Sequence, residues 1–215
     1  MDFSIILKYL PQYLSGAGVT IQLTIEALVL GLIGGLAVAM CKMSKIRVLR
    51  VAASAYISII RGTPLLLQLV FIFYSLPSIG ITLDAMSAGV WGLGLNMAAY
   101  MAETFRAGIM AIPKGQWEVA YVLGYSRMQS YVHIILPQAI RIVLPQIGNT
   151  AVAMIKDTSL VSVITITELM RTAQVSYAVT FRPLEAYLLA GIIYYVLSVV
   201  VSRCFAFMEM KMDRY

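Results

Sequence analysis

Charge is what this chain has least of. Asp, Glu, Lys and Arg make up 12% of its 215 residues, where an ordinary soluble domain carries about 25%. Hydrophobic residues make up 60%, and the mean hydropathy is +0.86. Apolar runs of roughly 20 residues recur, each enough to cross a hydrocarbon core about 30 Å thick. The shortage of charge therefore excludes a soluble globular chain and implies one that crosses the membrane repeatedly. The charge that is present sums to +6. Its Lys and Arg residues sit beside the ends of the apolar runs, as the positive-inside bias requires. They form no single basic face, so no nucleic-acid partner is expected.

Histidine and cysteine are nearly missing too. His133 is the only histidine, and without a second one no metal site is expected. Cys41 and Cys204 lie in or beside apolar runs with no paired or metal-like spacing, and they read as inert packing thiols. No G-x-x-x-x-G-K-S/T loop occurs, so the chain does not itself hydrolyse ATP. The absence of H-E-x-x-H and G-x-S-x-G leaves nothing that supports an enzyme, and no cofactor is expected. There is no fixed-period repeat, low-complexity segment or dividing linker, so residues 1–215 are expected to form one transmembrane domain. The N-terminus lacks a basic start and a small-residue cleavage site, and Pro11 interrupts it. An amphipathic segment lying in the interface is expected there, not a removable signal.

The runs place five spans at roughly 18–40, 51–76, 85–109, 134–155 and 184–207. The fold class expected is an all-α membrane protein of five transmembrane helices. Gly31, Gly34 and Gly35 give the first span a small-residue stripe for close helix contact. The connector after it holds Lys42, Lys45, Arg47 and Arg50 and no acid, which makes it cytoplasmic. The loop beyond the second span carries Asp84 and neither Lys nor Arg, as an outside loop should. The third span ends near Arg106 and Lys114, and the fifth near Arg203, Lys211 and Arg214. The N-terminus is thus expected outside and the C-terminus in the cytoplasm. The fourth span is irregular, with Pro137, Arg141, Pro145 and Asn149. A mixed helical stretch through Glu168 and Arg171 follows it, expected at the outer side and partly packed on the bundle.

Between the third and fourth spans lies a polar loop of about 111–137, on the cytoplasmic side. Its core reads GQWEVAYVLGYSRMQSYVHIILP from Gly115 to Pro137. A short helix, a glycine break at Gly124 and a second helix entering the bilayer at a proline would give that order. The spacing of Glu118, Ala120, Gly124, Ile134, Leu136 and Pro137 resembles the cytoplasmic loop signature of binding-protein-dependent ABC importer permeases, written EAA, then Gly, then I-x-L-P. Val119 stands where that signature has its second residue, alanine.

The resemblance covers most of the chain. Arg61-Gly62-Thr63-Pro64, Ala99-Tyr100-Met101-Ala102-Glu103, Gly115-Gln116-Trp117-Glu118 and Lys156-Asp157-Thr158-Ser159-Leu160 look like the polar amino-acid branch of those permeases. It implies a five-helix subunit of the bacterial inner membrane, paired with itself or a paralogue. Each such subunit would rest on a cytoplasmic ATP-binding subunit, and an extracytoplasmic binding protein would deliver the amino acid. The loop would be the coupling helix, with Gly115, Glu118, Ala120, Gly124, Ile134, Leu136 and Pro137 docking the ATPase.

Ionisable residues at membrane depth mark the pathway. Arg61 falls near the midplane, counting about 1.5 Å per residue from Arg50. Asn96, Tyr100 and Glu103 recur at helical spacing and share one face. A zwitterion needs a cation or helix-end donor for its carboxylate and an anion for its ammonium. Arg61 with the Gly62 and Thr63 backbone suits the first, and Glu103 or Asp157 the second. Thr158 and Ser159 adjoin. The acids Glu103, Asp157 and Glu26 give a basic amino acid such as arginine some preference. Two readings of Arg61 stand on the sequence: substrate contact, or a permanent structural pair with Glu103 or Asp157. The function expected is ATP-driven import, by alternating access, of polar amino acids, basic ones included, of the arginine, histidine and glutamine class. A passive channel or ion-coupled carrier is the alternative, and a structural subunit that touches no substrate is a further rival.

Overall fold

The computed structural model describes residues 3–212, and these are helical with no strand among them. α1 (Phe3–Met43) is followed by α2 (Arg47–Gly62) and α3 (Leu65–Val70), which continues through a π turn, Phe71–Ser75, and a 3-10 turn, Leu76–Ile79. α4 (Ala85–Met110) leads to α5 (Lys114–Val122) and α6 (Arg127–Ser130). A second π turn, Tyr131–Ile135, joins α6 to α7 (Leu136–Asp157). A 3-10 segment, Thr158–Ile164, then precedes α8 (Leu169–Thr180) and α9 (Pro183–Met212). Arg214, expected to anchor the C-terminal end, lies outside the described residues.

α1, from Lys8 onward, and α9 are each long and apolar enough to cross a membrane. Two bent pairs pass the same test jointly: α2 with Leu65–Ile79, bent by 105°, and Arg127–Ile164 with α8, bent by 53°. By length and composition these make up to four crossings. α4 lies inside the bundle, with Leu93, Ala99, Met101 and Ala102 fully buried.

Small residues set the α1–α4 seam. A side-chain carbon added at Gly35 would stand 2.6 Å from Met101 Cβ and 3.1 Å from the Ala98 carbonyl, and one at Gly34 would stand 3.2 Å from Ala98 Cβ. α4 reciprocates at Gly94, whose missing Cβ leaves room for Leu30. In lipid, where apolar burial gives helices little reason to associate, such close approach supplies the van der Waals contact that does.

The structure departs from expectation at two helices. No separate interfacial segment precedes the first span, because α1 runs unbroken through Pro11. Its early part is held by packing: Tyr13 is 1% exposed and donates to the Ala186 carbonyl of α9 at 3.0 Å. The second span is broken at Thr63, which takes an extended backbone (φ −121°, ψ 146°), as a residue before proline is pushed to do.

Both π turns stand before a Leu-Pro pair, Leu76-Pro77 and Leu136-Pro137. In each, the leucine amide bonds five residues back, to Phe71 and to Tyr131. Proline has no amide hydrogen and its ring crowds the carbonyl four residues earlier. A widened turn relieves that crowding while keeping the chain helical.

The stretch around Glu168 is partly packed, with Glu168 itself fully buried. Its carboxylate accepts from the Met170 and Arg171 amides, both at 2.8 Å, and from the Tyr194 hydroxyl at 2.5 Å. The Leu169 amide donates to Thr20 at 3.3 Å. One buried acid thus caps α8 and ties it to α9, with α1 bonded alongside.

Candidate functional site

The break in the second span builds one wall of a cleft. Loss of helical pairing at Thr63-Pro64 frees carbonyls that need donors. The Gln68 amide supplies them, donating to Ile60 O at 2.8 Å, Thr63 O at 3.1 Å and Thr63 Oγ1 at 2.9 Å. Asn96 of α4 donates in turn to Gln68 Oε1 at 3.0 Å. The bend is thereby fixed to α4, and Arg61 at the end of α2 is held beside it.

The cleft measures about 570 Å³ and lies among α2, α4 and α7. Of the residues expected at the pathway, Arg61, Thr63, Asn96, Tyr100, Glu103 and Asp157 all line it. Gly62, Thr158 and Ser159 do not. Thr158 is fully buried and its hydroxyl donates to the Ile155 carbonyl at 2.7 Å. Glu26 is bonded to Gln22 at 2.9 Å on an exposed face of α1 and is not among the lining residues.

The charges are not arranged as the permanent structural pair that is one reading of Arg61. No ion pair joins it to Glu103 or Asp157 among the described residues. Its guanidinium lies over the Tyr100 ring, 5.0 Å from the centroid, a cation–π contact. Glu103 pairs with Lys42 of α1 and, at 2.8 Å, with Arg106.

Sequence reasoning missed Gln68, Gln146 and Thr150. The signal for the α7 residues was available: Gln146, Asn149, Thr150 and Asp157 fall at steps of three, four and eleven residues, one helix face. Gln68 left no such trace, since its role exists only once the Thr63 break has formed.

A second site is built by the loop between α4 and α7. α5 ends in a Schellman motif: the Gly124 amide donates to Tyr121 O at 3.0 Å and the Tyr125 amide to Ala120 O at 3.1 Å, with Gly124 at φ +77°. Such a left-handed residue favours glycine. Ser126 then starts α6 with a capping box, its oxygen accepting from the Gln129 amide while Gln129 Oε1 accepts from the Ser126 amide at 2.8 Å. Ala120 is fully buried, and Trp117 packs edge-on against Tyr131, centroids 5.4 Å apart. α5 is thus seated on the π turn that leads into α7.

Its outward face is apolar. Tyr121 and Val122 are each 83% exposed, Leu123 65% and Met128 74%, and Glu118 is exposed beside them. An exposed apolar face rimmed by polar residues is a pattern found at interaction surfaces. Ile134 is half-buried, and Leu136 and Pro137 are exposed where the chain enters α7.

Comparison with known proteins agrees with this architecture. The chain is 41% identical over 209 residues to the L-cystine transport system permease protein TcyB of Bacillus subtilis, covering 97% of this chain and 89% of that protein. It is 38% identical over 203 residues to the arginine transport system permease protein ArtQ of Bacillus subtilis, covering 94% and 93%. It is 37% identical over 214 residues to the putative glutamine transport system permease protein GlnP of Rickettsia conorii, covering 98% of each. The crystal structure of an amino acid ABC transporter with histidines superposes with a TM-score of 0.92 at 40% identity, over 98% of this chain and 99% of that one. The inward-facing MetNI methionine ABC transporter shares the fold, with a TM-score of 0.72 at 16% identity over 97% of this chain and 96% of that one. Residues 27–214 match the family of binding-protein-dependent transport system inner membrane components. The chain belongs to that family: it is a membrane-embedded transport subunit, and not an enzyme.

Proposed function

We propose that this chain is the translocation subunit of an ATP-driven amino-acid importer, working by alternating access. The observation that carries the reading is the polar cleft in which Arg61 and Asp157 line one space without pairing to each other. A free amino acid supplies the complementary pair: its carboxylate suits the guanidinium and its ammonium the Asp157 carboxylate. The relatives named for cystine, arginine and glutamine support an amino-acid substrate.

The chain crosses the inner membrane five times, as α1, the broken α2–α3 span, α4, α7 and α9, with its N-terminus outside and its C-terminus in the cytoplasm. Two such subunits, identical or paralogous, enclose the path. An extracytoplasmic binding protein loads it, and a cytoplasmic ATP-binding subunit receives α5 through Glu118 and the apolar patch at Tyr121, Val122 and Met128. Closure of the ATPase pair moves α5, and the Trp117–Tyr131 contact passes the motion to α7. That helix has 22 residues, about 33 Å at 1.5 Å per residue, and it carries Gln146, Asn149 and Asp157 into the cleft. A packed element of this length moves as a unit, which is what a discrete switch requires.

Uptake into proteoliposomes tests the whole reading. The chain is reconstituted with its ATPase subunit and binding protein, and labelled arginine, histidine, glutamine, cystine and glutamate are followed with and without ATP. Accumulation only with ATP is expected, lost in Asp157→Asn. Equilibration without ATP would instead make the chain a channel or carrier. Glu118→Arg is expected to abolish ATPase co-purification while the chain remains inserted; an intact complex would remove the docking role from this loop.

A further inference from the structure

On the reading of the cleft as the amino-acid site, its charges choose among amino acids. Three charged side chains reach it: Arg61, Glu103 and Asp157. Glu103 is already committed. One carboxylate oxygen meets the Lys42 ammonium and the other accepts from Arg106 Nε at 2.8 Å, with all three side chains largely withdrawn from solvent. Two cations on one carboxylate leave that end of the cleft net positive, with no negative charge to offer. Arg61 makes no ion pair among the described residues, and its guanidinium lies over the Tyr100 ring. Asp157 receives no hydrogen bond or ion pair from Arg61 or any other lining residue among those described. The remaining polar lining is neutral, chiefly Asn96, Thr104, Gln146, Asn149 and Thr150.

We infer that this cleft selects amino acids with an uncharged polar side chain over those with a cationic one, arginine and lysine. The substrate carboxylate takes Arg61 and its ammonium takes Asp157, after which no unpaired anion remains in the cleft. A guanidinium or a second ammonium would then meet only neutral amides and hydroxyls and the net positive cluster of Lys42, Glu103 and Arg106, and a nearby like charge disfavours it. A carboxamide or hydroxyl is matched there. Asn96 spends its amide nitrogen on Gln68 and keeps its carbonyl oxygen as an acceptor, while Gln146 and Asn149 offer both donors and acceptors. The preference for a basic amino acid that the count of acids suggested is therefore reversed: Glu26 lies outside the cleft and Glu103 is outweighed by the two cations it meets.

The test separates the cleft from the binding protein, which imposes its own selection. The chain and its ATPase partner are reconstituted in nanodiscs without the binding protein, and binding of labelled glutamine and arginine is measured by equilibrium dialysis. Glutamine is expected to bind at least about tenfold more tightly than arginine. The double variant Lys42→Gln/Arg106→Gln releases Glu103, and the arginine-to-glutamine affinity ratio is expected to rise at least about tenfold. Arg106→Gln alone keeps the α1–α4 pair through Lys42 and should move the ratio in the same direction. Arginine binding as tightly as glutamine to the unaltered protein, or a ratio that neither variant moves, overturns the inference and leaves the amino-acid site standing. Glutamine binding that survives Asp157→Asn unchanged overturns both.

Discussion

Replacing Gly124 by alanine isolates one backbone conformation in the loop between α4 and α7. Gly124 sits at φ +77°, and a Cβ built there meets nothing within 4 Å. Crowding is therefore no part of the effect. What remains is the cost of a left-handed backbone for a residue with a Cβ, about 1–2 kcal/mol, or about 5–30-fold in the population that keeps the cap. The same substitution at Gly115 provides the comparison, since it also meets open space but lies in the first turn of α5 with no left-handed backbone. There alanine should stabilise the helix by up to about 1 kcal/mol. Amide hydrogen exchange across Lys114–Val122 reads the cap directly, and ATPase co-purification reads its consequence. Gly124→Ala should speed exchange by about 5–30-fold and weaken docking, Gly115→Ala should do neither, and Gly124→Asn should fall between them, because asparagine tolerates the conformation. If Gly124→Ala exchanges and docks like the unaltered chain, the Schellman turn is not what holds α5 in place.

Other perturbations follow from particular contacts. Gly35→Ala forces a carbon against the Ala98 carbonyl and Ala102 amide as well as Met101; backbone atoms cannot rotate away, so a loss of about 1–3 kcal/mol should appear as a fall of several degrees in the melting temperature, whereas Gly18→Ala, with open space around it, should be near neutral. Tyr194→Phe removes a 2.5 Å donor to the buried Glu168 carboxylate and should cost about 1.5–3 kcal/mol in the same assay. Pro137→Ala restores an amide able to bond His133 O, so the π turn should revert towards α-helix, and transport per ATP hydrolysed should fall. Asp84 caps α4, and hydrogen bonds from the Ser87 hydroxyl (2.6 Å) and amide (3.0 Å) hold its carboxyl below the usual carboxylate range. A depressed folded-state value means the cap contributes fully above the ordinary carboxylate range and is lost as pH falls through the lowered one. Asp84→Asn should flatten that part of the acid-side decline in melting temperature, and an unchanged pH profile would show that the cap contributes nothing.

What the sequence disclosed and what it withheld divide along physical lines. α4 and α9 were legible almost to their ends, because an apolar run in lipid has no alternative to helix. The face shared by Asn96, Tyr100 and Glu103 followed from helical spacing alone, and the cleft is lined by all three. The partners of those residues were not legible. Lys42 could be read as a topology signal, but nothing local says that it crosses from the end of α1 to Glu103. That pairing depends on how far α1 slides along α4, and the slide is set by Gly31, Gly34 and Gly35 meeting Met97, Ala98 and Met101. The acids were countable in the sequence; whether each was available was not, because availability is decided by the register of two helices. The same holds for the π turns. Leu-Pro marks both places, yet the pair at Leu76-Pro77 lies in the arm beyond the Thr63 bend, whereas the pair at Leu136-Pro137 joins the α5 seat to the helix carrying Asp157. A proline dictates the widened turn from its own chemistry. Only the fold decides whether that turn stands between two sites, and Pro137→Ala is informative because here it does.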